Sequence, residues 1–295
     1  GMRIAILGQA DGWHVRDLLR AASQQNVETE CLDFESLAAT VTNSARQTAS
    51  GHSLDQFDAM LVRTMPRGSL EQIIFRMDVL GQVADRGTAV FNPPRALETA
   101  IDKYLSLARM QSAGLPVPRT CVTQTANEAI EAFKSLGEDV VVKPLFGGEG
   151  RGLMRLTDHE LAGRAFRTLE QLQATIYVQE FIDHEGYDIR VLIVGDRVVG
   201  MRRRNSADWR TNLRQGAVAE PVTLKPEWIE LATKAAAAVG TPIAGVDLLP
   251  SKDGRLLALE VNAVPGWRGL QKATGEDIAS WIVEHVCSER TALGQ

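Results

Sequence analysis

Apolar and polar residues alternate between strand-like and helix-like patterns over the first third of the chain. Short runs of consecutive apolar residues indicate buried strands, and apolar positions three or four residues apart indicate helices between them. The predicted strands are 2–7, 27–34, 59–63 and 89–91, and the predicted helices are 15–22 and 70–86. This alternation predicts a small lobe built on a parallel sheet. The polar stretch 40–53 has no clear periodicity and is predicted to be a loop.

Asn92-Pro93-Pro94 interrupts this pattern and predicts the end of the first lobe. Beyond it, helices are predicted over 127–136, 159–172 and 226–239, with apolar runs between them that predict strands. We therefore expect an α/β fold with α+β character, divided into three lobes. The predicted domains are 1–93, 94–182 and 183–295.

Glu260 and Asn262 interrupt an otherwise apolar run, 256–262, that is predicted to be a strand. Because side chains alternate between faces with a period of two, the acid and the amide share one face with Leu256 and Ala258. An acid in such a strand is costly unless a cation compensates it. A solvated sheet face is the alternative, because antiparallel sheets often have one wet face, and this run alone supports both interpretations equally.

Asp247 lies in the apolar run just upstream, across a predicted hairpin turn at 251–254. The turn would return the chain so that Asp247 lies near Ala258 and diagonal to Glu260, about 7–8 Å away. Asp247, Glu260 and Asn262 would then present oxygen donors without any His or Cys. Such a set suits Mg²⁺ better than zinc.

A buried strand further upstream ends in Lys143 and runs into a glycine-rich loop. Its first three glycines are Gly147, Gly148 and Gly150. Such a loop lets backbone N–H groups approach an anion, and the lysine supplies positive charge for phosphate oxygens. The loop lacks the Gly-Lys-Ser/Thr ending of a P-loop. Taken alone, a flexible hairpin tip with a surface lysine is the alternative.

A third feature is a short apolar strand that ends at Glu180, Phe181 and Ile182 and is followed by Asp188. A strand end of this kind can present backbone groups to the edge of an adenine base. A plain strand and loop is the alternative. The order and spacing of all three features favour a nucleotide site.

Together with Asn92-Pro93-Pro94 and Ile101-Asp102-Lys103, these features resemble the ATP-grasp carboxylate–amine ligases of the RimK-like group. The similarity runs over about residues 92–275. The group includes ligases that add glutamate to a ribosomal protein, to tetrahydromethanopterin and to coenzyme F420. The resemblance implies an ATP-grasp fold, in which two lobes clamp ATP and follow an N-terminal parallel-sheet lobe. It also implies phosphorylation of an acceptor carboxylate by ATP and displacement of the phosphate by an amine.

The resemblance also implies roles for residues at matching positions. Nucleotide contacts are expected from Lys103, Lys143, Gly147, Gly148, Gly150, Glu180, Phe181, Ile182, Asp188, Thr211 and Asn212. Within that set, the lysines and glycines would contact phosphates, 180–182 adenine and Asp188 the ribose. Arg203 and Arg210 are the expected catalytic cations. Asp247, Glu260 and Asn262 match a site for two Mg²⁺ ions, for which Mn²⁺ can substitute.

Arg190, Arg204, Trp267 and Arg268 are candidate contacts for the acceptor substrate. An aromatic ring beside a guanidinium group, as at 267–268, could stack on a pterin-like ring and bind a carboxylate. A capped loop with an exposed Trp267 is an equally good interpretation. The arginines of 202–204 alternate faces on a strand, so a solvated basic edge is the alternative to phosphate contact.

Composition narrows the choice of partners. The chain has 295 residues and a net charge of −5 at pH 7, which argues against a nucleic-acid-binding protein. No stretch approaches the roughly 20 apolar residues needed to span a bilayer. The three cysteines are scattered without metal-ligand spacing, which fits a reducing cytosol. We therefore predict a cytoplasmic protein without a nucleic-acid or membrane partner.

The leading hypothesis is an ATP-dependent ligase that joins an amino acid, with L-glutamate as the first candidate, to a small-molecule carboxylate. A homodimer or homotetramer is the expected assembly. One alternative is the same chemistry on a carrier protein or a protein tail. A non-catalytic nucleotide-binding sensor is the alternative from a different class, and the complete set Asp247, Glu260 and Asn262 counts against it.

Overall fold

The computed structural model describes residues 1–145, 152–211 and 216–293. Its strands are β1 (Arg3–Leu7), β2 (Glu28–Leu32), β3 (Ala38–Val41), β4 (Ala45–Ala49), β5 (His52–Ser53), β6 (Ala59–Val62), β7 (Ala89–Phe91), β8 (Thr120–Thr123), β9 (Val140–Lys143), β10 (Met154–Leu156), β11 (Ile176–Glu180), β12 (Tyr187–Val194), β13 (Arg197–Arg204), β14 (Val218–Pro221), β15 (Ile243–Pro250) and β16 (Leu256–Asn262). Its helices are α1 (Trp13–Gln24), α2 (Leu70–Asp85), α3 (Pro94–Ile101), α4 (Lys103–Ser112), α5 (Ala126–Ser135), α6 (His159–Gln171), α7 (Pro226–Val239), α8 (Arg268–Thr274) and α9 (Ile278–Leu293).

The first sheet is parallel, with strand order β2-β1-β6-β7, as the sequence predicts. Alternate residues of β1 enter two different hydrophobic cores. Ile4 and Ile6 pack on one side of the sheet, and Ala5 and Leu7 pack on the other. Because both faces are covered, β1, β6 and β7 read as nearly continuous apolar runs, whereas β2 at one edge of the sheet carries Glu28 and Glu30.

The predicted loop over 40–53 is wrong, because most of this stretch lies in a small antiparallel sheet of β3, β4 and β5. Every residue of β3 is exposed, so the strand carries no buried face for a hydrophobic pattern to reveal. In β4 only Gln47 and Ala49 are buried. Backbone pairing alone therefore defines much of this sheet.

The second large sheet has the order β10-β9-β11-β8, and helices α5 and α6 cover one of its faces. Phe133 and Phe166 from these helices are fully buried against the strands. Thr125 and Asp158 begin the two helices by accepting hydrogen bonds from backbone N–H groups of the first turn. The predicted helices 127–136 and 159–172 are confirmed to within one residue at each end.

The third large sheet is antiparallel, with the order β14-β13-β12-β15-β16. Helix α7 covers one face of it through Trp228, Leu231 and Ala235. Helix α9 packs instead against α1 and β12, so the end of the chain joins the core of the first sheet. Leu192 and Val194, on the face of the third sheet opposite α7, are covered by this core, whereas Asp188 and Arg190 on the same face line a cavity.

Asn92 attaches the first sheet to the third. Its buried side-chain amide donates to the backbone carbonyls of Ile243, at 2.7 Å, and Ala263, at 2.6 Å, and its Oδ1 accepts from the Ile243 N–H at 3.1 Å. A buried amide satisfied in this way fixes the relative position of β7, β15 and the segment after β16. The Asn-Pro-Pro segment therefore ends the first lobe and, through Asn92, also joins it to the third sheet.

Among the helices in the described ranges, none combines the length and the apolar content that crossing a membrane would require.

Candidate active site

Asp247 and Glu260 lie directly opposite each other on β15 and β16. A β-bulge causes this, because Asp247 pairs with Glu260 while its neighbour Leu248 pairs with Ala258, which leaves Leu259 as an extra residue. The predicted diagonal placement is therefore wrong. Directly opposed Cβ atoms are about 4.5–5.5 Å apart, so the two carboxylates are nearer each other than expected.

The bulge also overturns the predicted alternation along β16. Ala258 and Val261 pack together in the core beneath α7, whereas Leu257 and Leu259 pack on the other face with Leu249. Glu260 and Asn262 do share a face, as predicted, and both line the cavity. Leu256 and Ala258 are not on that face.

Two arginines hold the acids of this sheet in place. Arg190 on β12 lies opposite Asp247, and its Nε donates to Asp247 Oδ1. Arg203 on β13 lies opposite Asp188, donates to both of its carboxylate oxygens at 2.8 and 2.7 Å, and reaches Asp247 Oδ1 at 3.0 Å. The predicted ribose contact, Asp188, and the predicted catalytic Arg203 are thus partners in one buried network.

The network sets the charge of Asp247. Burial by itself raises the pKa of the Asp247 carboxyl, but the guanidinium groups of Arg190 and Arg203 outweigh burial and hold it below its ordinary value. Asp247 is therefore ionised at neutral pH. A charge buried with paired hydrogen bonds has a fixed position, which a ligand-binding carboxylate requires.

Lys103 and Lys143 bring positive charge to the same cavity from two other elements. Lys103 is the first residue of α4, a helix that Asp102 caps by accepting from the Leu105 N–H, and Lys143 ends β9. Burial lowers the pKa of both ammonium groups, and the Glu260 carboxylate opposes that shift. The structure thus brings both predicted phosphate-binding lysines to the acids of β15 and β16.

Glu180, Phe181 and Ile182 line the cavity at the end of β11. The Glu180 carboxylate forms ion pairs with Arg119 and Arg255. The N–H groups of Glu180 and Phe181 already donate to backbone carbonyls, at 2.9 and 3.0 Å. A base edge at this hinge would therefore have to use the hinge carbonyls or the Ile182 N–H.

The segment before residue 212 also borders the cavity, where Arg210 and Thr211 contribute to the lining. Arg210 forms an ion pair with Asp208 at 3.2 Å and lies over the Trp209 ring. His184 accepts the Gly186 N–H at Nδ1, so its Nε2 carries the proton and donates to the Trp209 carbonyl at 2.9 Å. The His184 ring thus anchors this segment through hydrogen bonds at both of its nitrogens. The predicted contacts Gly147, Gly148, Gly150 and Asn212 lie outside the described residues.

Two of the predicted acceptor contacts do not line the cavity. Arg204 points away from it, forms an ion pair with Glu220 at 3.2 Å and lies over the Tyr187 ring, as its alternation with Arg203 on β13 dictates. Trp267 is 1% exposed and packs in the core of the first sheet. Its indole Nε1 donates to Asp17 at 2.8 Å, which satisfies its buried donor. Trp267 is therefore neither an exposed residue nor a residue that lines this cavity.

The first lobe contributes two cavity residues that the sequence analysis did not find, His14 and Arg63. Burial, followed by the charge of Arg63, lowers the pKa of His14 to about 4, and burial lowers the pKa of Arg63 to about 10. Arg63 follows the buried strand β6 directly, in the same way as Lys143 ends β9. The sequence could have indicated Arg63, because it directly follows a predicted strand of a parallel sheet and ligands bind at the carboxyl ends of such strands.

The cavity has a volume of about 500 Å³, within the usual range for a small-molecule site. A family model described as the RimK-like ATP-grasp domain matches residues 100–286, and the RimK PreATP-grasp domain matches residues 2–97. The chain belongs to the RimK-like ATP-grasp family. The predicted family, the ATP-grasp fold and the assignment as an ATP-dependent ligase are confirmed.

Curated relatives of this ATP-grasp ligase match it over nearly its whole length. The tetrahydromethanopterin:alpha-L-glutamate ligase of Methanosarcina acetivorans is 32% identical over an alignment of 317 residues, which covers 96% of this chain and 97% of that protein. A probable alpha-L-glutamate ligase of a Marinomonas species is 33% identical over 298 residues and covers 99% and 97%.

Solved structures agree with the ATP-grasp ligase fold. The ATP-grasp ligase PsnB, complexed with a minimal precursor, Mg and ADP, has a TM-score of 0.76 at 24% identity over 97% of each chain. A RimK domain protein of Sphaerobacter thermophilus has a TM-score of 0.74 at 23% identity, over 97% of this chain and 99% of that one. At these identities the similarity concerns the fold alone.

The donor set of this ATP-grasp chain fits Mg²⁺. Within the described ranges, no group of three or more His, Cys, Asp and Glu side chains could hold a metal ion. The candidate set instead combines the carboxylates of Asp247 and Glu260 with the amide of Asn262. Asn262 Oδ1 accepts the Val264 N–H at 2.9 Å, which orients the amide and leaves a second lone pair. Three oxygen donors on paired strands suit a hard cation that retains several waters.

Proposed function

We propose that this chain uses ATP to join L-glutamate to a small-molecule carboxylate through an acyl-phosphate intermediate. One observation carries the proposal: Lys103 and Lys143 line the same cavity as Asp247, Glu260 and Asn262. Cations for phosphate and oxygen donors for a metal are the two requirements of phosphoryl transfer from ATP. The names of the curated relatives support glutamate as the amine substrate.

The first step forms a bond between an oxygen of the acceptor carboxylate and the γ-phosphorus of ATP. The bond from that phosphorus to the β,γ-bridging oxygen breaks, and ADP leaves. In the second step the unprotonated amine attacks the acyl carbon, and the bond from carbon to the phosphate oxygen breaks. Inorganic phosphate leaves with that oxygen, and the amine loses a proton to give the amide.

The residues of the cavity serve the first step by neutralising charge. ATP and the acceptor are both anions, so their approach needs positive charge in a site from which water is excluded. Lys103 and Lys143 supply that charge on the phosphate side. Arg203 keeps Asp188 and Asp247 in position, and Arg210 adds a further cation at the border of the cavity.

Asp247, Glu260 and Asn262 would hold the metal of this site. Bound there, Mg²⁺ would neutralise and orient the transferring phosphoryl group. We infer two ions, with Mn²⁺ as a functional substitute, because a phosphoryl donor with three phosphates needs charge on both sides of the transferred group. Equilibrium dialysis with Mn²⁺ and a nucleotide analogue would count the ions.

We also infer a division into lobes at 1–93, 94–182 and 183–295 and a homodimer or homotetramer. The matches to two family models, which meet between residues 97 and 100, support the first boundary. Light scattering on the purified chain measures the assembly. The cytoplasmic location stays a prediction, as does the absence of nucleic-acid and membrane partners.

The experiment that tests the function is ADP release from MgATP in the presence of each amino acid in turn and a desalted small-molecule extract. Mass spectrometry then identifies the product. We expect ADP release that depends on L-glutamate and the extract, and a product heavier by one glutamyl unit. ADP release that depends only on an added protein fraction would instead assign the acceptor to a carrier protein or a protein tail. MgATP binding without amino-acid-dependent ADP in either case would contradict the ligase.

A further inference from the structure

At the end of the cavity next to the first lobe, two arginines lie without a carboxylate partner among the described residues. Arg63 follows β6, and Arg268 begins α8; both line the cavity beside His14 and Gly266. Within the described residues, neither arginine has a carboxylate within ion-pair distance. This group of His14, Arg63, Gly266 and Arg268 is here named the N-terminal pocket.

Arg63 is held by neutral groups. Its guanidinium donates to the carbonyl oxygens of Pro265 and of Val264, the second at 3.0 Å, and lies over the ring of Trp267 at 5.3 Å. These contacts fix its position but leave its positive charge without an opposite charge. Burial of such a cation is costly, so an anion that enters the cavity gains a strong interaction with it.

Arg268, the first residue of α8, lines the same part of the cavity as Arg63. Its guanidinium lies over the Trp13 ring at 5.3 Å, and the side chain is exposed to the cavity. Burial is the largest cause that lowers the pKa of His14, the charges of Arg63 and Arg268 lower it further, and the Asp17 carboxylate opposes them. His14 is uncharged at neutral pH, since its pKa lies at about 4.

His14 adds a neutral donor between the two cations. Its Nε2 accepts the N–H of Trp267 at 3.1 Å, so the proton of the neutral ring is on Nδ1. Gly266 permits this arrangement, because a Cβ at that position would lie 3.1 Å from His14 Nε2. The ring therefore sits against the loop at a distance that a larger residue would disturb.

The remaining arginines of the cavity differ in a way that assigns the pocket a separate role. Arg190 and Arg203 are occupied by Asp188 and Asp247, and Arg210 by Asp208. Each of these three arginines already has a carboxylate partner within the chain. The N-terminal pocket is the part of the described cavity that offers guanidinium groups to an incoming carboxylate.

We propose that the N-terminal pocket binds a substrate carboxylate that is not phosphorylated in the reaction, with Arg63 and Arg268 as its specificity-determining residues. This inference rests on the proposed function. The carboxylate belongs either to the amino acid, which carries carboxylates beside its reacting amine, or to a second acid group on the acceptor. Both sources share the chemistry that a guanidinium recognises.

Equilibrium binding tests the pocket without requiring turnover. Isothermal titration calorimetry of the full chain with saturating MgADP would use two probes: L-glutamate, and N-acetyl-L-glutamate, whose blocked amine makes it an acceptor mimic only. The variants are Arg63→Gln, Arg63→Lys and Arg268→Gln. Arg46→Gln, at an exposed arginine of β4 that does not line the cavity, is the matched control.

We expect each Gln variant to raise the Kd of at least one probe by about 10- to 100-fold, as loss of a charge-assisted hydrogen bond implies. Arg63→Lys should recover part of the affinity, because it keeps the positive charge. The Kd of MgADP should stay within about twofold in all variants, because the pocket is proposed to bind a carboxylate and not the nucleotide. An effect on L-glutamate alone assigns the pocket to the amino acid. An effect on N-acetyl-L-glutamate alone assigns it to the acceptor.

Unchanged affinity for both probes in Arg63→Gln and Arg268→Gln would overturn the proposal, as would absence of binding of both probes to the unaltered chain. Arg268 is exposed, so its substitution tests the pocket even if Arg63→Gln fails to fold. The result is also separate from that for the proposed function. Glutamate-dependent ADP release with unchanged binding in the variants would reject the pocket and keep the ligase.

Discussion

The cavity holds its arginines in two different ways. On the third sheet, Arg190 and Arg203 are paired with Asp188 and Asp247 through short, buried hydrogen bonds. At the other end, Arg63 is held by backbone carbonyls and an aromatic ring. Paired arginines fix the position and ionisation of acids, whereas arginines held by neutral groups keep their charge for a ligand. The first arrangement builds the phosphoryl-transfer centre, and the second, we infer, selects a substrate.

The largest expected effect comes from breaking the paired network. Arg203→Met should lower the free energy of unfolding by about 3–5 kcal/mol, because it leaves the Asp188 carboxylate buried without its partner. Arg204→Met is the matched control on the same strand. Arg204 pairs with Glu220 at the surface, so its loss should cost less than about 1 kcal/mol. Urea denaturation of both variants measures the difference in unfolding free energy. Equal losses of stability would contradict a larger contribution from the buried network than from the surface pair.

Glu260→Ala tests the transfer centre while sparing that network. We expect kcat to fall by about 10²–10³-fold, as for removal of one group that stabilises developing charge, with thermal unfolding little changed. Glu227→Ala, at an exposed acid in the first turn of α7, should retain full activity. Full ATP-dependent ligation by Glu260→Ala would remove this residue from the metal site.

Lys143→Ala should raise the KM for ATP by about tenfold, which corresponds to the loss of one charged contact to phosphate. Lys234→Ala is the control, because Lys234 is exposed and pairs with Glu230 on the surface of α7. Initial rates at varied MgATP measure the change. If the KM for ATP were the same in both variants, Lys143 would not bind the nucleotide.

The smallest effect is expected at Trp267, which the structure places in the core. Trp267→Phe should lower the free energy of unfolding by about 1 kcal/mol, because the hydrogen bond to Asp17 is lost. The KM values of the amino acid and of the acceptor should each change by less than about twofold, because Trp267 does not line the cavity. Trp281→Phe, at a half-buried ring under Arg197, is the control. A selective rise in an acceptor KM would return Trp267 to the acceptor site.

The sequence predicted the larger elements and the site acids because these follow from local patterns. The buried strands of the first sheet are continuous apolar runs, and Glu260 and Asn262 stand out in β16 since they interrupt one. The bulge at Leu259 left no such sign. Leu256, Leu257, Ala258 and Leu259 are all apolar, so a shift of register changes their faces without breaking any visible alternation.

Contacts between residues distant in sequence were the other feature that could not be predicted. The charges of Arg190 and Arg203 gave no indication of which acids they meet, because the pairing depends on the register of three strands. Trp267 packs in the core of the first sheet, where Asp17 of α1, distant in sequence, accepts the hydrogen bond of its indole N–H. The sheet over 38–53 was missed because its first strand is wholly exposed, so tertiary pairing replaces the hydrophobic pattern.

The central claim is that the acceptor carboxylate attacks the γ-phosphate of ATP within this cavity. Transfer of ¹⁸O from the carboxylate of the acceptor, once identified by ADP release and mass spectrometry, tests that claim directly. If both carboxylate oxygens carry ¹⁸O, the account predicts one labelled oxygen in the inorganic phosphate and the other in the amide for each product molecule. Phosphate without label, formed together with the amide, would contradict an acyl-phosphate intermediate and with it the proposed chemistry of the site.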